Sequence, residues 1–153
     1  MPRWIAALRI VLPVFWIGAL VALSFLETPL KFQAPGITIP LGLGIGRIMF
    51  TALAILGGVV LVATTLVHLR PRPARSSVVV LAAIWLVYLV ETFAIRPALS
   101  VRTDAVIAGE EAGGSSLHYV YIAADVTLLA LLVALVVVTC RAVLPAEAGR
   151  PVR

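Results

Sequence analysis

The chain reads as an all-α protein, an integral membrane four-helix bundle with N- and C-termini cytoplasmic, and three observations predict this. Of 153 residues, 62% are hydrophobic and only 12% charged, with mean hydropathy +1.13, far from the roughly half-apolar, quarter-charged balance of soluble domains. Four apolar stretches come close to the ~20 residues that cross a bilayer. Arginines crowd the start, the middle connection and the end of the chain, the regions that four antiparallel spans place on one side. A single transmembrane domain over 1–153 is expected, with spans at about 4–26, 47–68, 77–96 and 117–140 and outer loops at 27–46 and 97–116. The longest polar stretch, about 100–116, is too short to enclose a separate core.

The first span, "WIAALRIVLPVFWIGALVALSFL", holds 17 uncharged residues between Arg9 and Glu27. A cleavable signal peptide competes with this reading, because Ala22-Leu23-Ser24 resembles a cleavage site; the apolar region exceeds the usual 7–15 residues, which favours an uncleaved span. Pro13 is expected to bend it. The second span carries no ionisable group over the 20 residues between Arg47 and His68, and Gly57-Gly58 at its centre marks a close helix approach or a kink. Upstream of it, "PLGLGIG" has no preceding strand and no following lysine-serine pair, so it is no phosphate-cradling motif. Its alternating glycines and aliphatics read as an extended or re-entrant segment over the bundle mouth. The third span follows "RPRPARSS" and is expected to end at Pro97.

Only 15 residues separate Arg75 from Glu91, and again 15 separate Asp125 from Arg141. Neither run crosses a bilayer unless its acid lies inside. Counted from the cytoplasmic ends, Glu91 and Asp125 both fall about 21–22 Å in, at matching depth in the outer half. Orientation rests on Arg3, Arg9, Arg70, Arg72, Arg75, Arg141, Arg150 and Arg153 inside, against Lys31, Arg102, Asp104, Glu110 and Glu111 outside.

Helical spacing groups the polar residues. His118, Tyr121 and Asp125 share one face of span four, and Tyr88 and Glu91 one face of span three. A charge facing lipid costs at least ~2.5–3.5 kcal/mol, so both acids should point inward, with Arg47 and Arg96 as the available cations. Glu27, Arg47, Tyr88, Glu91, Arg96, His118, Tyr121 and Asp125 therefore form the candidate ligand-binding or buried polar network. A network that only fixes helix register is an equally weighted alternative. Tyr119, Trp4, Trp16 and Trp85 read as interface or packing residues.

Catalytic and metal-site patterns do not emerge. Cys140 is the single cysteine, which excludes an intrachain disulfide and a cysteine-pair metal site. His68 and His118 lie at opposite ends of their spans, ~30 Å apart, and cannot share one haem iron. No H-E-x-x-H motif and no serine-nucleophile elbow is present. No cofactor is expected.

The stretches "SFLETPLKFQAPGITIPLGLGIGR", "IRPALSVRTDAVIAGE" and "LHYVYIAAD" resemble small uncharacterised bacterial four-span membrane proteins. Shared features are an acid-x-Pro-x-Lys-Phe-x-x-Pro loop, a Gly-Arg opening of span two and a His-x-x-Tyr helix. The end of span one and the histidine opening span four also resemble, more distantly, the transmembrane protein 205 family. These resemblances imply a multi-pass protein of the bacterial inner membrane and bring no activity with them.

Function remains open between classes. The first reading is a binding or accessory membrane protein with an outer-facing polar intramembrane pocket; the alternative is a proton-coupled small-solute carrier acting as a homo-oligomer; a haem or quinone membrane enzyme ranks third. Expected partners are the lipid bilayer and a second copy or another membrane protein. Nucleic acid is not expected, because the basic residues sit at span ends.

Overall fold

The structure, a computed structural model, describes residues 2–69, 74–109 and 116–143. Arg70, Arg72, Glu110, Glu111, Arg150 and Arg153, which entered the orientation argument, lie outside the described residues. Among the described residues there is no strand. Four helices are long and apolar enough to cross a membrane: α1 (Arg3–Lys31), α2 (Ile39–His68), α3 (Arg75–Ile107) and α4 (Ser116–Val143).

Three of these helices run further than the sequence suggests. The 27–46 stretch, expected as a loop, is helical except around 32–38, and the glycine-rich "PLGLGIG" is the first turns of α2. The reason is local. Thr38 sits in an extended conformation as N-cap, its hydroxyl accepting from Leu41 N at 3.4 Å, and Pro40 lies in the first turn, where its missing N–H costs nothing. Gly42 and Gly46, one turn apart, then let the end of α1 lie close: a Cβ at Gly42 would collide with the Phe32 ring, and one at Gly46 would come within 2.7 Å of Lys31 Nζ.

Pro97 likewise does not end α3, which continues to Ile107 and stops at Gly109 with φ 89°. The widened π-turn Glu91–Ile95 immediately precedes it. A second π-turn, Val21–Glu27, stands in the same relation to Pro29 in α1. Such turns absorb the steric and hydrogen-bonding defect of a helical proline. In α1 the Thr28 hydroxyl also donates to the Leu23 carbonyl at 3.2 Å.

The helices form a ring in the order α2, α1, α4, α3, with the far third of α3 leaning back onto α2. On α4 the buried positions are Tyr121, Asp125, Leu128, Leu132, Leu135 and Thr139, alternating steps of four and three. On α3 the same alternation runs through Ser77, Leu81, Ile84, half-buried Tyr88 and Glu91. This 3.5-residue period is that of left-handed bundle packing, and Asp125 and Glu91 occupy regular places in their seams. Ser77 and Glu91, and likewise Asp125 and Thr139, are fourteen residues apart. Between the polar ends lies an apolar core around Trp16, Leu20, Leu61, Ile84, Leu132 and Leu135.

The Gly57-Gly58 pair serves ring packing. A Cβ at Gly57 would meet Trp16 at 2.8 Å, and one at Gly58 would meet the Tyr88 hydroxyl. The outward faces are apolar, with Ile48, Ile55, Val59, Phe93 and Val101 all well exposed, the reverse of a soluble bundle.

Candidate functional site

At the end of the bundle opposite the start of α1 and the end of α4, Arg96 ties three helices together. Its Nε and Nη2 each donate to Glu91 Oε1 at 3.3 Å, and Nη2 reaches the Tyr121 hydroxyl on α4, also at 3.3 Å. Nη1 donates to the Phe50 carbonyl on α2. The guanidinium also lies over the Phe50 and Tyr121 rings, 5.9 and 5.7 Å from their centroids. Glu91 is deeply buried, its side chain 5% exposed.

Asp125 sits one turn beyond Tyr121 on the same face and is 2% exposed. Among the described residues, one of its carboxyl oxygens, Oδ1, has no hydrogen-bond partner and is buried, as are Glu91 Oε2 and Ser24 Oγ. Glu91 and Arg96 lie close enough for their charges to act on or be acted on by Asp125. Within this cluster there are two carboxyl groups and one guanidinium.

Two adjoining cavities meet here. The smaller, about 190 Å³, is lined by Ser24, Phe25, Phe50, His118, Tyr121 and Asp125, among others. The larger, about 920 Å³, opens between the end of α1, the first half of α2 and the far third of α3. Thr28, Pro29, Phe50, His118 and Tyr121 belong to both walls. Lys31, Arg47, Arg96 and Arg102 all line the larger cavity, and no acidic residue does among those described. The rest of its wall is largely apolar, with Phe32, Leu43, Ile55, Leu99 and Val106.

The sequence-predicted residues divide into three groups. Glu91, Arg96, Tyr121 and Asp125 come together, and His118 faces the same cavities. Arg47 lines the larger cavity and stands apart from the two buried acids: its guanidinium pairs with Asp104, and the two side chains are 48% and 57% exposed. The cation beside the buried acids is Arg96, which follows the π-turn Glu91–Ile95 and pairs with Glu91. Tyr88 and Glu27 also have partners apart from the two buried acids. Tyr88 packs edge-on against Trp16 and Trp85 and donates to the Ala54 carbonyl at 2.8 Å, away from both cavities. Glu27 pairs with Lys31 one turn on, at 3.2 Å.

Phe50, Ser24, Lys31 and Arg102 belong to the site and were not anticipated. Ser24 was legible in principle, since it continues the four-residue step from Trp16 through Leu20.

A second polar knot closes the end where α1 begins and α4 ends. His68 is buried; its Nδ1 donates to the Thr64 carbonyl at 2.8 Å, and its Nε2 is 3.2 Å from Thr139 Oγ1 on α4. Arg9 donates to the Val67 and His68 carbonyls at 2.8 and 3.3 Å, capping α2 from α1. Both ring nitrogens of His68 are thus engaged within the bundle.

The fold and the site together define a class: a helical bundle of membrane-crossing length with a basic, apolar-walled cavity over a buried acidic floor. Among known proteins, no family model, no curated sequence and no solved structure matches the chain.

Proposed function

We propose that the chain is a multi-pass protein of the bacterial inner membrane, both termini cytoplasmic, that binds an amphipathic small molecule carrying an anionic group in the cavity at its outer end. One observation carries this reading: a cavity of about 920 Å³ presents four basic side chains and, among the described residues, no acid, on a wall that is otherwise mostly apolar. Cations on an apolar wall suit a ligand with a charged head and a hydrocarbon body. Among the described residues, Arg102 makes no ion pair. The apolar outward faces and the arginine distribution support the membrane placement.

Native mass spectrometry of protein extracted in mild detergent tests this. An anionic amphiphile should be retained by the wild type and lost from Arg102→Glu; equal occupancy in both would refute the assignment.

The two-to-one ratio of carboxyl groups to guanidinium around Asp125 supports a second reading, a proton-coupled carrier of a small solute working as a homo-oligomer. Solute flux in liposomes that follows an imposed pH gradient and disappears in Asp125→Asn would favour it.

A further inference from the structure

The small cavity differs chemically from the large one beside it. Arg96 is committed to Glu91, Tyr121 and the Phe50 carbonyl. Asp125, almost wholly buried, lines a space of about 190 Å³ together with Ser24, and among the described residues no cation forms an ion pair with it. Phe25, Phe50 and Tyr121 form much of the remaining wall. A buried carboxylate among aromatic rings recognises an ammonium group, by charge and by the electron-rich ring faces. The larger cavity, sharing Phe50 and Tyr121 as partition, supplies cations for a phosphate and an apolar wall for hydrocarbon.

We propose that the two cavities together hold the headgroup of an amine-bearing phospholipid. Its ammonium lies beside Asp125, its phosphate faces Arg102 in the larger cavity, and its acyl chains follow the apolar wall. This rests on the function proposed above and deepens it. Asp125 gives selectivity for the amine, and the basic residues give affinity for the phosphate. Glu91 and Asp125 share the single Arg96 guanidinium, and the ligand's ammonium supplies a second cation for the two buried carboxyl groups. No covalent step is involved.

The test uses the full chain in nanodiscs or mild detergent, with competition between short-chain phosphatidylethanolamine, phosphatidylglycerol and phosphatidic acid read by native mass spectrometry. Glycerophosphoethanolamine is the soluble comparison. The wild type should prefer phosphatidylethanolamine by about tenfold or more, the scale of one charge-assisted hydrogen bond. Asp125→Asn should lose that preference while still binding phosphatidylglycerol. The wild-type competition stands alone if the variant fails to fold. Equal or tighter binding of phosphatidylglycerol by the wild type overturns the amine site and leaves the anionic-amphiphile reading intact. No binding of any lipid overturns both. Glycerophosphoethanolamine binding as tightly as the lipid overturns the lipid source and assigns the site to a soluble zwitterion.

Discussion

Arg96 holds Glu91 twice. Its backbone N–H donates to the Glu91 carbonyl across the π-turn, and its guanidinium donates to the Glu91 carboxylate. In an α-helix a residue five positions on is rotated roughly 140° away, so the widened turn is what brings the two side chains to one face. Removing either partner strands the other in a buried place. Glu91→Gln and Arg96→Gln should each cost about 3–5 kcal/mol, read as a lower unfolding midpoint in detergent. The double mutant should lose less than the sum, with coupling of about 0.5–3 kcal/mol; strict additivity would contradict the pairing.

Arg47 provides the contrast. Its pair with Asp104 is half exposed, so Arg47→Gln should shift stability by no more than about 1 kcal/mol. Combined with Asp125→Asn, its effect should be additive, because the two side chains have separate partners. A large coupling between them would mean that Arg47 reaches the buried acids.

The glycines of α2 are not equivalent. A Cβ at Gly44 meets nothing within 4 Å, so Gly44→Ala should be neutral or stabilise by about 0.5–1 kcal/mol. Gly57→Ala pushes against Trp16 and should destabilise by about 1–3 kcal/mol. Thermal unfolding of the two variants side by side checks this, and a reversed order would refute the Trp16 contact.

At the other end, Thr139→Val removes the hydroxyl that meets His68 Nε2 and leaves a buried ring nitrogen without a partner. A loss of about 1–3 kcal/mol is expected. Retention of full stability would show that the His68 to Thr139 bond is dispensable.

Cysteine substitutions in a Cys140→Ser background test the proposed orientation. Gly109→Cys should react with an impermeant thiol reagent added outside intact cells, and Ala74→Cys only after the membrane is opened. The opposite pattern would invert the bundle.

How far the sequence discloses this arrangement depends on the kind of residue. Four apolar helices are legible because hydropathy is summed over about twenty positions. Glu91 and Asp125 are legible because the runs beside them are too short to cross a membrane without them. Pro97 misleads, since the rule that proline ends a helix assumes an α-helical turn before it, and the π-turn that rescues it leaves no pattern in composition. The glycines of α2 mislead for a related reason. Their helix is set by the Thr38 cap, Pro40 and the nearness of Phe32 and Lys31, which is tertiary information. The sequence offers both Arg47 and Arg96 as cations, and choosing between them required knowing of the π-turn that sets Arg96 beside Glu91.

The shared spacing of Ser77 to Glu91 and Asp125 to Thr139 makes the bundle a gauge. Fourteen residues is two full repeats of the 3.5-residue seam, or roughly 21 Å of helix rise, so the polar layer at each end is reached on the same face from which the count began. Inserting or deleting a single residue anywhere in those fourteen would turn one polar layer by roughly 100° relative to the other. Length changes in this chain are therefore confined to its connections or must come in whole repeats, and the dry interval between the His68 knot and the Arg96 knot is fixed by arithmetic before any ligand is bound.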